Sequence, residues 1–241
     1  LEENNIGIKG ATALSKNETW KNLTELRLGW NKLGAEGTEA LAQNKSWMNL
    51  RILSLESNDI GAKGAIGLSM NKTWSNLNTL YLEDNDIGDE GAKALSSNET
   101  WTSLTGLYLS ENKIGAEGTE ALGQNKSWKN LTVLVLAHNN IGDEGAIGLS
   151  KNETWTNLTG LYLGENKIGD QGAIGLSINK TWSNLNTLYL EDNSIGYEGA
   201  KALSKNETWN NLISLHLEEN KIEADGEKEL GARWPWHVTY V

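Results

Sequence analysis

Apolar and polar positions alternate along this chain in two rhythms that follow one another and then begin again. In the segment 184–190, leucine recurs as L-x-x-L-x-L at Leu185, Leu188 and Leu190. The end of that run predicts a short strand whose alternate residues face a core. Asn193 then stands where a strand is uncomfortable, and its amide can bond neighbouring backbone in a turn. Next, I-G-x-x-G-A-x-x-L places Ile195, Ala200 and Leu203 on one side of a short helix. The frame returns every 27 residues: the turn asparagine falls at Asn4, Asn31, Asn58, Asn85, Asn112, Asn139, Asn166, Asn193 and Asn220. A tryptophan column runs in step at Trp20, Trp47, Trp74, Trp101, Trp128, Trp155, Trp182 and Trp209, with Trp236 in the same register. A fixed period of this size predicts stacked repeats, strand inside and helix outside, bending into an arc.

Local chemistry refines the elements. Asp89 and Glu90, like Asp143 and Glu144, are predicted in the first turn of their own helices, where the dipole favours negative charge. The asparagine of N-x-T/S-W, such as Asn98, fits a left-handed helix C-terminus. Each buried tryptophan is expected to find a partner for its ring N–H. Near the C-terminus the frame breaks: Glu223 replaces a glycine and Arg233 an asparagine. There Pro235 is expected to stop a helix and 238–241 to add a closing strand.

The motif L-x-x-L-x-L-x-x-N-x-I-G-x-x-G-A-x-x-L resembles the leucine-rich repeat, nearest to the ribonuclease-inhibitor-like subfamily. The resemblance runs from Leu1 to about Leu230. It implies an α/β fold: a right-handed horseshoe solenoid with a parallel sheet on the concave face, short helices on the convex face, and binding on the concave side. The outer segment is shorter than that subfamily's usual helix, and tryptophan stands where leucine or phenylalanine is common, so about two helical turns are expected. The chain divides into a truncated first repeat (1–19), tandem 27-residue repeats (20–230) and a C-terminal cap (231–241) in a single domain. Leu1 occupies the place of a strand's last leucine, so the frame opens in mid-repeat, as in a fragment or processed form.

Composition narrows the function. A net charge of −11 argues against nonspecific nucleic-acid binding, which needs a basic footprint, and against an anionic membrane surface. No apolar run is long enough for a membrane span, and the chain as read opens on no signal peptide. The lack of cysteine removes thiol chemistry and Cys-ligated zinc, and leans toward a reducing compartment or a bacterial source. Segments 64–101 and 172–209 differ at only four of 38 positions, as recent duplication would leave them.

In a parallel stack, equivalent positions lie about 4.8 Å apart, so chemistry is read down columns. The middle solvent-facing column is Arg27, Ser54, Tyr81, Tyr108, Val135, Tyr162, Tyr189 and His216. The next two columns carry Glu56, Glu83, Asp84, Glu111, Glu165, Glu191, Asp192, Glu218 and Glu219. A tyrosine stripe beside an acidic stripe is thus expected on the concave face, divided by Val135–His138 into two patches. Tyrosine supplies rigid, amphipathic contact area, and carboxylates favour a cationic partner. The plainer reading is that tyrosine suits strands and acid keeps the protein soluble; confinement of tyrosine to one column favours binding. The candidate partner-binding residues are Tyr81, Tyr108, Tyr162, Tyr189, Glu83, Asp84, Glu111, Glu165, Glu191, Asp192 and His216. The partner is a protein or peptide with a basic patch.

Lys32, Lys113, Lys167 and Lys221 are expected on the rim near the acids, and Arg27 as a lone concave cation. Asn-x-Ser/Thr recurs at Asn17, Asn44, Asn71, Asn98, Asn125, Asn152, Asn179 and Asn206, and at Asn22, Asn130 and Asn157. It reads as a helix-end turn copied with the repeat rather than as glycosylation acceptors. The run Glu83–Asp86 lacks EF-hand spacing. His138, His216 and His237 stand in no repeating frame with Ser, Cys or a second His, so neither a triad nor a zinc site is expected. No cofactor, metal or enzymatic activity is called for. The alternatives are an adhesin or receptor fragment binding glycan or host protein, a scaffold whose function lay in preceding sequence, and, from the family resemblance, a regulator of a small GTPase. Oligomeric state stays open, with association through the N-terminal edge available.

Overall fold

The structure is a computed structural model that describes residues 1–234 and 238–239. Among the described residues, nine parallel strands form one sheet in chain order: β1 (Glu25–Arg27), β2 (Ile52–Ser54), β3 (Thr79–Tyr81), β4 (Gly106–Tyr108), β5 (Val133–Val135), β6 (Gly160–Tyr162), β7 (Thr187–Tyr189), β8 (Ser214–His216) and β9 (Val238–Thr239). Every neighbouring pair from β1 to β8 is in a register of 27, so Leu26, Leu53, Leu80 and their successors stand side by side. Helices α1 (Gly7–Ser15), α2 (Gly34–Ala42), α3 (Gly61–Ser69), α4 (Gly88–Ser96), α5 (Ala116–Gly123), α6 (Gly142–Ser150), α7 (Asp170–Ser177), α8 (Tyr197–Ser204) and α9 (Ala224–Arg233) stack on the convex side. Eight to ten residues make each a little over two turns, as expected. The chain is a right-handed solenoid with its sheet on the concave face. Of the C-terminal features, β9 joins the sheet beside β8; Pro235, Trp236, His237, Tyr240 and Val241 lie outside the described residues.

The core is a set of columns. Leu77, Leu80, Leu82, Ile87, Ala92, Leu95 and Trp74 are fully buried, as are their equivalents in neighbouring repeats. The turn asparagines bind repeat to repeat through backbone rather than to one another. Asn85 Nδ2 donates to the carbonyls of Leu55, Leu82 and Glu83 (2.9, 3.1 and 2.9 Å), and its Oδ1 accepts from Asn58 N–H at 2.9 Å. Each buried amide is thereby satisfied while it fixes the register of two turns.

Two expectations fail here. Asn98 is not in the left-handed region: the residue closing α4, Ser97, has φ −81°, and Asn98 is absent from the positive-φ residues. Instead its Oδ1 accepts from Thr100 and Trp101 N–H (2.8 and 3.0 Å), while Nδ2 donates to Ser69 O of the preceding repeat. The asparagine therefore nucleates the next turn and caps the previous repeat's helix. Its copies from Asn44 to Asn206 are buried, which places those Asn-x-Ser/Thr amides in the core; Asn22, Asn130 and Asn157 are exposed. Second, the ring N–H of Trp47, Trp74, Trp101, Trp128, Trp155, Trp182 and Trp209 is buried without a hydrogen-bond partner among the described residues. An unmet buried donor costs about 1–3 kcal/mol. Burying roughly 200 Å² of indole returns about 5 kcal/mol, so apolar packing outweighs the orphaned donor.

The helix-start acids also act in a way the linear reading missed. Asp89 Oδ1 accepts from Gly115 and Gly118 N–H of the next repeat (2.7 and 2.8 Å). Asp143 does the same for Gly169 and Gly172, and Asp170 for Gly196 and Gly199. These acids cap the following helix rather than their own. Where the preceding repeat carries Ile8, Ala35, Ala62 or Ala116 at this position, the next glycine (Gly34, Gly61, Gly88, Gly142) has φ between +59° and +63°. There its N–H turns to the next repeat's turn asparagine carbonyl, as Gly88 to Asn112 at 2.9 Å. Where an aspartate precedes it, the glycine is extended, with φ −100° at Gly115. The flipped Ile114 carbonyl then accepts from Asn140 N–H at 2.8 Å. One side chain thus sets the orientation of a peptide plane in the neighbouring repeat.

Candidate functional site

The concave face is built from alternate strand residues and the turn that follows them. Adjacent strands in register bring Tyr81 against Tyr108, with ring centroids 4.5 Å apart and planes 27° from parallel. Tyr162, Tyr189 and His216 form a second stack, at 4.8 Å and 24° and then 4.0 Å and 15°. These separations follow from strand spacing, and the tilt is of the size expected of sheet twist. Room for the rings comes from two positions upstream: a Cβ at Gly106 or Gly160 would lie 3.0 Å from Cε2 of Tyr108 or Tyr162. Val135 separates the stacks. The predicted tyrosines and His216 thus come together as two groups.

The acids divide into two sets. Glu83 and Glu191 follow Tyr81 and Tyr189 by two residues, just past the ends of β3 and β7, and are half-buried. In each, Oε2 is buried and has no hydrogen-bond partner among the described residues. Burial pushes the Glu83 carboxyl up to about 7, with the Glu56 carboxylate adding to the shift. Burial likewise raises Glu191, and Glu218 adds to that, while His216 opposes it. Tyr108 and Tyr162 are raised by burial as well. At Glu83 and Glu191 the acidic stripe is thus partly withdrawn from water by neighbouring side chains. Glu191 occupies the space over Gly164, as Glu56 does over Gly29, where a Cβ would come within 2.8 Å of Glu56 Cδ.

Asp84, Glu111, Glu165 and Asp192 form the other set, exposed and one residue further along. Their φ values are +52°, +57°, +54° and +50°, and the whole column, from Glu3 to Glu219, shares this left-handed backbone. Glycine would adopt it with less strain. Asp84 Oδ2 accepts from Ser57 Oγ at 2.8 Å, and Glu165 Oε2 lies 2.9 Å from His138 Nδ1. Of the rim cations, Lys113 pairs with Asp86 at 2.6 Å, Lys167 Nζ donates to Asn140 Oδ1 at 2.7 Å, and Arg27 pairs with Glu25 and Glu2.

A third arrangement was missed. Along β8, Ser214 Oγ lies 2.8 Å from His216 Nε2, and His216 Nδ1 lies 3.0 Å from Glu218 Oε1. The expectation that no serine stands in frame with His216 is therefore corrected. The alternation S-L-H-L-E puts Ser214 and His216 on one face of β8, with Glu218 in the turn that follows.

These features define a repeat solenoid that displays one continuous parallel sheet. The Leucine Rich repeat family model matches seven tandem segments, 21–42, 48–69, 75–96, 102–123, 129–150, 156–177 and 183–204. The chain belongs to the leucine-rich repeat family. No curated protein matches it. Repeats of this family generally mediate protein–protein interaction, on a scaffold that is typically non-catalytic.

Proposed function

We propose that the concave face binds a protein or peptide carrying a basic patch. Tyr81 and Tyr108, then Tyr162, Tyr189 and His216, supply flat apolar anchors. Glu83 and Glu191 meet cationic side chains beside them, while Asp84, Glu111, Glu165 and Asp192 steer the approach. The observation that carries this reading is the pairing of each ring stack with a carboxylate whose buried oxygen has no partner among the described residues, because a cation would satisfy that oxygen. The acids retained at left-handed positions add support, since stability alone would favour glycine there. Binding by this face needs no chemical step.

The test compares affinity capture of a partner by the native protein and by a variant with Tyr81, Tyr108, Tyr162 and Tyr189 changed to Ala, at low and moderate salt. Each anchor is expected to contribute ~1–3 kcal/mol, and moderate salt should weaken capture further. A partner held equally by both proteins would move the site elsewhere.

A further inference from the structure

We propose that Ser214, His216 and Glu218 form an ester-cleaving site at the C-terminal end of the concave face. Its substrate would be the carboxylic ester of a neutral, hydroxyl-rich alcohol. The inference shares His216 and its stacking on Tyr189 with the binding role proposed for the second ring stack, and gives that imidazole a chemical role.

The geometry assigns each role. With Glu218 Oε1 accepting from His216 Nδ1–H at 3.0 Å, the ring's Nε2 is the acceptor for Ser214 O–H at 2.8 Å. That is the order a serine nucleophile, its base and the base's orienting acid require. Stacking against Tyr189, with ring centroids 4.0 Å apart, fixes the imidazole plane. Asn186 completes the group: its carbonyl accepts from Ser214 N–H at 3.0 Å. Its Oδ1 accepts from Thr187 Oγ, and its Nδ2 has no partner among the described residues. That free amide is the donor we assign to the oxyanion.

The substrate class comes from the groove that runs along the strand starts and ends at Ile213, the residue before Ser214. It has a volume of about 950 Å³ and is lined only by Asn, Ser, Thr and Ile side chains, in a chain of net charge −11. Asn130, Asn157, Asn184 and Asn211 each donate Nδ2 to a carbonyl of the preceding repeat at 2.8–3.0 Å. Their Oδ1 atoms accept no hydrogen bond from any described residue. A row of uncharged acceptors suits hydroxyl donors rather than ions.

In the reaction, Ser214 Oγ adds to the acyl carbon as its proton passes to His216 Nε2. The tetrahedral centre then expels the alcohol oxygen, which takes that proton, leaving the acyl group on Oγ. Water adds to the acyl carbon, gives a proton to Nε2, and the Oγ–acyl bond breaks with that proton returning to Oγ. Ester and water become acid and alcohol.

The test uses p-nitrophenyl acetate as probe, with peptide mass spectrometry to find the acetyl group. The intact protein should release nitrophenolate and carry acetyl on Ser214. Ser214→Ala should abolish that acetylation, and His216→Gln should slow it by about 100-fold or more. An acetylated neutral oligosaccharide should lose acetate, while an acetylated polyanionic sugar should not. Should His216→Gln lose its helical circular dichroism, Ser214→Ala decides, because it removes only one hydroxyl. Nitrophenolate release by the folded native protein no faster than in buffer alone, or an unchanged rate in Ser214→Ala, overturns the proposal. Equal release from the neutral and the polyanionic sugar overturns the assigned substrate class.

Discussion

Replacing Glu83 by Gln separates the electrostatics of the face from its shape. The carboxyl is held near 7 against an ordinary 4.5, a gap of roughly two and a half units. At 1.36 kcal/mol per unit, ionising it in the folded state costs about 3 kcal/mol more than in the unfolded chain. The shift is upward, so the stability associated with the neutral acid is present below about pH 4.5 and is lost as pH rises toward 7. Glu83→Gln keeps the size of the side chain and cannot ionise. Urea unfolding of both proteins should therefore show little difference near pH 4. An advantage for the variant should grow through the window and level off at up to ~3 kcal/mol above it. The same carboxyl gives a binding signature. At about pH 6 it is mostly protonated, and a cationic side chain placed against it must displace the proton. Calorimetry of partner binding in buffers of different ionisation enthalpy should report that release in the native protein and not in Glu83→Gln. A stability difference independent of pH, or a variant less stable above pH 7, would refute the reasoning, since either outcome would mean that the carboxylate is solvated or already paired.

Three further outcomes test the stack itself. Asp143→Ala removes the acceptor for Gly169 and Gly172 N–H and should cost about 1–3 kcal/mol in urea unfolding, with Asp143→Asn costing less. Gly142→Ala places a side chain at φ +59° and should cost about 1–2 kcal/mol; adding Ala116→Asp, which restores the acid found before every extended glycine from Gly115 to Gly196, should recover part of that loss. Asn152→Ala deletes bonds to Gly123 O, Thr154 N–H and Trp155 N–H and should lower stability by several times the cost of the exposed Asn157→Ala. Equal losses at Asn152 and Asn157 would contradict the cap assignment.

The architecture was legible in the sequence because it is periodic. Leu185, Leu188, Leu190, Ile195 and Trp182 each recur at one spacing, and a stacked repeat converts spacing directly into columns. The tyrosine column was legible for the same reason, since parallel strands keep equivalent residues adjacent. What escaped is the set of interactions that cross from one repeat to the next between non-equivalent positions. Asp89 reads as an acid at its own helix start, yet its partners are Gly115 and Gly118. Asn98 reads as the end of one helix, yet its amide caps the previous helix and its carbonyl oxygen starts the next turn. Burial of Glu83 escaped too, because its Oε2 is covered only once neighbouring strands are assembled. Ser214, His216 and Glu218 escaped for the opposite reason: they occur once, on β8 and the turn after it, so no column announces them.

Duplication and divergence together account for the shape of the face. The segments 64–101 and 172–209 carry the same W-S-N-L-N-T-L-Y-L-E-D-N frame, so each supplies a Tyr–Glu–Asp unit, and four repeats at about 4.8 Å separate the two units along the sheet. Their surroundings then set them apart. Glu83 has Glu56 as its neighbour on the preceding repeat, a second carboxylate that compounds the cost of ionisation. Glu191 is followed by Glu218 and His216, and the imidazole offsets part of that cost. Nearly identical segments therefore present carboxyls of different readiness to ionise. A partner with two basic groups would displace a proton more readily at Glu191 than at Glu83, so the order in which the two patches engage it would depend on pH.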